Sequence, residues 1–255
     1  PKNALGIPDP KKCTLGFGHW DLGFVMKPLP LLFDLGPHRP TTRQIADIVK
    51  AGGGADALTE AVRRADAARY QEVHCKPPLK RLKGIPLEWT LNPYRGCTHA
   101  CHYCYARRYQ TQFELGADDD FASIIFVKTN FAEVLRRELR KPSWNGDYVA
   151  FGTATDCYQP IEGHYKLTRQ SLEALAEAKN PTGVVTKAPM IVRDIDVLRE
   201  LHRRAGCTVC ISVPTVDEHA WEQLEPGTAH PMKRLGAVRE LNDAGIRCGV
   251  LMNPI

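Results

Sequence analysis

The chain has 255 residues, 43% of them hydrophobic, and 34 Lys and Arg against 29 Asp and Glu give a formal net charge of +5. This is ordinary globular composition, enough for one large core or two smaller ones, and the mild basicity permits an anionic partner without demanding one. No apolar run approaches the ~18 residues needed to span a membrane, no charged-then-apolar signal segment opens the chain, and nine cysteines without a disulfide-like array predict a reducing cytoplasm.

Residues 1–40 are rich in Pro and Gly and read as irregular. Thr41-Thr42 is expected to cap a short helix carrying Ile45, Ile48 and Val49, ended by Gly52-Gly53-Gly54. Ala55 to Tyr70 has a second helical pattern through Leu58, Ala61, Val62 and Ala65. Residues 71–84 read as a basic loop with Lys76, Lys80, Arg81 and Lys83. Residues 1–84 are thus expected to form an N-terminal extension, and 85–255 the main domain.

From Glu88 the pattern is strand, loop, helix, repeated. Strands are predicted at Glu88–Leu91, Tyr148–Phe151, Gly183–Thr186, Thr208–Val213 and Cys248–Met252. A further short apolar strand is Ile124–Val127. Helices are predicted near Ala106–Gln112, after Asn130 with Glu133 as a capping box, and at Thr168–Lys179, Asp194–Ala205 and Pro231–Ala244. This alternation predicts right-handed βαβ units and a parallel sheet, with functional loops at the C-terminal strand ends.

After the first of these strands comes Asn92-Pro93-Tyr94-Arg95-Gly96-Cys97-Thr98-His99-Ala100-Cys101-His102-Tyr103-Cys104-Tyr105. Cys97, Cys101 and Cys104 have C-x3-C-x2-C spacing, so one loop can hold one metal centre. Three thiolates are one short of the four that close an electron-carrier cluster or a structural zinc site. The bland alternative is zinc with His99 or His102 as fourth ligand. Cys207 and Cys210 form C-x2-C on a strand, where their side chains face opposite ways, and read as core.

The stretches NPYRGCTHACHYCYAR, FGTATDCYQPIEG, VVTKAP, EPGTAHPMKRLGAVRELNDAGI and GVLMNPI together resemble radical S-adenosylmethionine (radical SAM) enzymes, closest to the spore photoproduct lyase-like group. The resemblance covers roughly residues 70–255. It implies a partial (β/α)6 barrel, of which about five βα units are present, with a sixth strand expected beyond Ile255. It implies that Cys97, Cys101 and Cys104 hold three irons of a [4Fe–4S] cluster and that S-adenosylmethionine chelates the fourth. It further implies Asp156, helped by Thr155, for the amino group of S-adenosylmethionine, Lys187 for its carboxylate, Ser212 for ribose or carboxylate, and Tyr103 against adenine. Asn253, after the fifth strand, joins this cofactor set, and Arg234 either contacts the cofactor or pairs with Glu225.

The family's hydrogen-donor cysteine aligns with Thr153, which leaves Cys157 as the candidate donor. The implied activity is reductive cleavage of S-adenosylmethionine to a radical that takes a hydrogen from substrate. The electron comes from a flavodoxin- or ferredoxin-type partner. Nucleic acid is the favoured substrate class, supported by Lys76–Lys83, Arg107-Arg108 and Arg136-Arg137. The alternatives are radical modification of a peptide or small molecule, and a non-catalytic zinc- or cluster-binding protein.

Overall fold

Apolar runs of three to six residues that are buried on both faces form parallel strands when helices cover them. Val149-Ala150-Phe151 is such a run, and Gly183-Val184-Val185 is nearly one. The computed structural model describes residues 63–82, 88–113, 115–117 and 119–253, all within a compact unit spanning Leu31–Ile255. The irregular opening and the helix expected after Thr41-Thr42 lie outside the described residues.

Strands are β1 (Arg69–Val73), β2 (Lys80–Arg81), β3 (Trp89–Leu91), β4 (Tyr94–Arg95), β5 (Ile124–Lys128), β6 (Val149–Phe151), β7 (Thr182–Thr186), β8 (Cys207–Ser212) and β9 (Arg247–Leu251). Helices are α1 (Asp119–Ser123), α2 (Phe131–Leu139), α3 (Glu162–Tyr165), α4 (Leu167–Glu177), α5 (Ile195–Ala205), α6 (Glu218–Leu224) and α7 (Pro231–Asp243). Tyr105–Phe113 and Pro189–Asp194 are 3-10 helices. The main sheet runs β2-β3-β6-β7-β8-β9. Strands β3, β6, β7, β8 and β9 are parallel in succession, and β2 is an antiparallel edge on β3. These five parallel strands are the five expected, each with ends within one or two residues. The fold is an α/β partial parallel barrel.

The core lies between this sheet and its helices. Val149, Phe151, Val184, Val209 and Ile211 meet Leu135, Leu172, Leu175, Leu198, Leu201 and Leu241 there. Each such side chain contributes about 1.5–3 kcal/mol by leaving water. On α5, Val197, Leu198 and Leu201 recur at helical spacing and are buried. On α7 the buried positions are Pro231, Arg234, Ala237 and Leu241, so an arginine occupies a core-facing position. Gly206 and Gly245, at φ 86° and 79°, end α5 and α7 in a conformation that favours glycine.

Three local expectations are corrected. The helix read through Tyr70 ends by residue 67, and Arg69–Val73 is β1. It pairs with β5 over the full five residues, so tertiary pairing overrides a weak helical pattern. The basic segment that follows contains β2 rather than a continuous loop. Asn130 makes no side-chain cap on α2. Its amide instead pairs with the Cys75 backbone, accepting from Cys75 N at 2.9 Å and donating to Cys75 O at 3.1 Å. The predicted Ile124–Val127 strand is the centre of a second sheet, β1-β5-β4. This sheet fixes Tyr94-Arg95, the entrance to the cysteine loop, antiparallel to β5.

Candidate active site

The cysteine loop starts at Gly96, whose φ is 78°. A Cβ there would lie 2.4 Å from Ile124 O, so only glycine fits. Cys97 N donates to Phe121 O at 2.9 Å. Ala100 N and Cys104 N then close two tight turns onto Cys97 O and Cys101 O, each at 3.2 Å. Ala100 takes a left-handed φ of 54° to do so. The Arg107 guanidinium gathers the carbonyls between the thiols, with Nη2 on Ala100 O at 2.7 Å and Nε on Cys101 O at 3.0 Å.

Two distant segments clamp the loop. From the β6 side, Gln159 donates to Gly96 O at 3.1 Å and accepts from Thr98 N at 3.2 Å. Asn92 Oδ1 accepts from Ala154 N and Thr155 N, and Thr155 Oγ1 donates to Tyr94 O at 3.1 Å. From the end of α6 and the turn after it, Leu224 O accepts from His102 N at 3.0 Å and Gly227 N donates to His99 O at 3.1 Å. A rigid loop of this kind holds its side chains in place before any ligand arrives.

Cys97 and Cys101 are buried and Cys104 is half-buried. Burial pushes the Cys101 thiol well up, and Cys97 and Cys104 add to that because they lie within charge range. Burial also raises Cys104, and Cys97 adds to it. All three thiols lie on the one loop, and Cys97 and Cys104 share a small cluster with Ala106 and Phe121. Among the described residues, no group of three or more His, Cys, Asp or Glu side chains converges on a single-ion position. Of the two histidines in the loop, His99 is buried and His102 is exposed. Buried thiols lose their protons on metal binding.

Asp156 is the first hub beside the loop. Its side chain is only 7% exposed. It accepts from Thr186 Oγ1 at 2.6 Å, Lys187 N at 2.6 Å and Tyr158 N at 2.8 Å. His99 Nδ1 lies 3.3 Å away. Burial alone would raise this carboxyl's pKa, but His99, Thr186 and the Lys187 amide more than offset it and bring it to about 2. Burial would likewise lower His99, whereas the Cys97 and Asp156 charges raise it to about 10.

A carboxylate depressed on folding stabilises the native state above its ordinary pKa, and that stability is lost as pH falls through the folded value. The stability difference between wild type and Asp156→Asn is therefore expected to shrink by about 2 kcal/mol between pH 4 and pH 2. Urea midpoints across that range measure it. A constant difference would remove the charge from the account.

Glu225 is the second hub, 1% exposed. It accepts from the Tyr103 hydroxyl, lies 3.1 Å from Lys187 Nζ and 2.6 Å from Arg234 Nη1. Burial works against its charge, but Arg234 and Lys187 win and hold the carboxyl below its usual range. Lys187 Nζ also donates to Ser212 Oγ at 2.6 Å and sits 5.6 Å over the Tyr103 ring. Arg234 is fully buried; it reaches Ala229 O at 2.7 Å, Ser212 O at 3.0 Å and Thr228 Oγ1. Lys187, Ser212 and Tyr103 are thus brought together, with Asp156 and Thr155 bracing the loop from beneath. Asn253 is exposed past the end of β9.

Cys157 lies elsewhere. Its thiol is fully buried in the principal core, aimed at Val185 O at 3.8 Å. A thiol sealed there reaches a substrate only if the core opens. The sequence reading gave Gln159, Asn92 and Arg107 no part in holding the loop. It named Glu225 only as a partner for Arg234. Their signal is the polar residue at a position that the fold buries, which needs the fold to be known.

A parallel partial barrel with a thiol loop after its first strand, and cationic and polar groups on the following strand ends, defines a cofactor-binding α/β domain. The model of the radical SAM superfamily matches residues 91–255, and the chain belongs to that superfamily. Membership implies a [4Fe–4S] cluster and S-adenosylmethionine. An uncharacterized protein of Mycobacterium tuberculosis is 37% identical over 193 residues, covering 74% of this chain and 57% of that protein. The chain therefore spans little more than half the length of this relative. A protein of Pseudomonas phage M6, described as a radical SAM Nα-GlyT isomerase, is 28% identical over 192 residues, covering 73% of this chain and 37% of its own. Among solved structures, spore photoproduct lyase with its dinucleoside spore photoproduct matches with TM-score 0.56 at 19% identity, covering 77% of this chain and 54% of that one. A variant of that lyase with bound AdoMet and dinucleoside also matches with TM-score 0.56, at 18% identity, covering 80% and 55%. At such identity the likeness is one of fold.

Proposed function

We propose that the protein containing this domain is a radical SAM enzyme in which Cys97, Cys101 and Cys104 hold the [4Fe–4S] cluster. The observation that carries this reading is the pre-built loop, which holds three cysteines within eight residues and is joined through Tyr103 to Glu225 and thence to Lys187 and Ser212. When bound, the cluster supplies an electron that cleaves S-adenosylmethionine and starts hydrogen abstraction from substrate. The chain's own residues bind, orient and exclude water. Lys187 and Ser212 present a cation and a hydroxyl to the carboxylate and ribose of the cofactor, and the Tyr103 ring packs against adenine. Asp156 already receives three hydrogen bonds and faces His99. Its role, with Thr155, is to hold the β6 and β7 ends against the loop, and it touches the amino group only if an internal donor yields.

Nucleic acid is the substrate class we favour. Exposed Tyr105 and Tyr109, ring centroids 6.1 Å apart and edge-on, offer π-faces on which bases can stack. The fold likeness to a lyase bound to a dinucleoside points the same way. The basic segments contribute less than their sequence suggests. Arg136 pairs with Glu177 and Glu173, Arg137 with Glu133, and Arg107 is taken up by loop carbonyls.

The test uses full-length protein reconstituted with iron and sulfide without oxygen, then given dithionite and S-adenosylmethionine. Wild type is expected to form 5′-deoxyadenosine, measured by mass spectrometry, and Cys101→Ala to form at least a hundredfold less, an order-of-magnitude figure for loss of a ligand and its cluster. Equal product from both would remove the cluster assignment.

A further inference from the structure

A cavity of about 240 Å³ lies where β3 and β6 begin, at the barrel end opposite the thiol loop. Two indoles line it. Trp89 opens β3, and Trp144 lies in the turn between α2 and β6. Their rings meet edge to face, with centroids 5.3 Å apart and planes at 72°. Each indole is fixed through its own N–H. Trp89 Nε1 donates to Asp147 Oδ2 at 3.1 Å, and Trp144 Nε1 donates to Asn180 Oδ1 at 2.8 Å. Asn180 in turn donates to Asp147 O at 3.1 Å, so both indoles hang on one brace. Buried Leu79 adds an aliphatic wall.

Two carboxylates share this lining, Asp147 and, in the last turn of α2, Glu138. Each is engaged by a neutral donor only: Asp147 Oδ2 takes the Trp89 indole, and Glu138 Oε2 lies 3.5 Å from Leu79 N. Among the described residues neither carboxylate has an ion-pair partner. Lys141, the cation in the lining, is exposed and pairs with neither. Indoles attract a cation and carboxylates bind one by charge-assisted hydrogen bonds. The volume is below that of cavities for drug-sized ligands, so it suits one charged head group with its stem.

We propose that this cavity binds a single organic cation, a guanidinium or alkylammonium, between the Trp89–Trp144 pair and the Asp147 and Glu138 carboxylates. Such a head group arrives as a free small amine or as the Arg or Lys side chain of a basic peptide, and the chemistry is the same. The site is separate from the thiol loop and stands without the radical SAM reading.

The experiment is a calorimetric titration of the full-length protein with N-acetylarginine methylamide and with its citrulline analogue, which has nearly the same shape and no charge. Wild type is expected to bind the arginine probe with a Kd on the order of 1 mM and the citrulline probe about tenfold more weakly. Glu138→Gln/Asp147→Asn keeps both hydrogen-bond acceptors and removes both charges. It is expected to bind the arginine probe about tenfold more weakly than wild type, and Lys141→Gln about twofold more tightly. Equal binding of the two probes, an unchanged Kd in the double variant, or no binding by ~20 mM probe overturns the proposal. If circular dichroism shows that the double variant does not fold, the arginine-to-citrulline ratio in wild type decides alone. Agmatine binding more tightly than the blocked arginine supports a free amine as the natural occupant. The peptide Gly-Arg-Gly binding more tightly supports a side chain of a basic partner.

Discussion

Arg234→Met is expected to destabilise the folded protein by about 3–5 kcal/mol, the cost of leaving a buried charge without its partner. Met fills most of the arginine's volume, so the loss is not one of packing. Glu225 would keep Lys187 and Tyr103 but lose the guanidinium 2.6 Å away. Ala229 O and Ser212 O would lose their donor, and each orphaned buried acceptor adds its own penalty. Urea unfolding followed by circular dichroism measures the effect. The double variant Arg234→Met/Glu225→Leu is expected to recover part of the loss, because the stranded carboxylate is removed. A single-variant loss under about 1 kcal/mol, the value of an ordinary hydrogen bond, would mean that the arginine is not holding this end of the barrel.

Gly227→Ala is expected to cost at least half of the bound iron while leaving the barrel folded. The new Cβ would sit 2.2 Å from Thr98 O and 2.8 Å from His99 O. Both are backbone atoms of the thiol loop, so no flexible side chain can swing away. The loop or the 224–228 segment must move, at about 1–3 kcal/mol for an overpacked site. Residues 96–104 and 225–230 both lie outside strands and helices, so a shift of either loosens the clamp on the thiol loop. Iron content per chain after desalting is the measurement, with circular dichroism as the check on the fold. Undiminished iron would show that the clamp can shift without the loop.

What the sequence revealed followed the range of each signal. Val149-Ala150-Phe151 and Gly183-Val184-Val185 were legible as strands because strands covered on both faces are apolar throughout. The thiol loop was legible because its three cysteines lie within eight residues. Lys187 and Ser212 were pointed to by the resemblance, and the structure puts Lys187 Nζ 2.6 Å from Ser212 Oγ. Strand β1 was not: Arg69-Tyr70-Gln71-Glu72-Val73 is polar, and what makes it a strand is β5, more than fifty residues away. The bond from Tyr103 to Glu225 spans 122 residues, and no local pattern announces it. The burial of Cys157 was not legible. The residue neighbours Asp156 in the chain, but the two side chains diverge, one to the loop and one to the core.

That 122-residue span also sets an order of events. A ribosome adding about 5–20 residues per second delivers Glu225 roughly 6–24 seconds after Tyr103. The barrel's first thiols are made well before the segment that clamps them. During that interval the loop has only its β6-side braces to come, and iron bound then would be held by a flexible peptide. Stable cofactor loading therefore belongs after α6 and its following turn have docked. A cell that offers iron and sulfide too early, or a chain interrupted before Leu224, is expected to yield apoprotein with a folded beginning and an unfinished site.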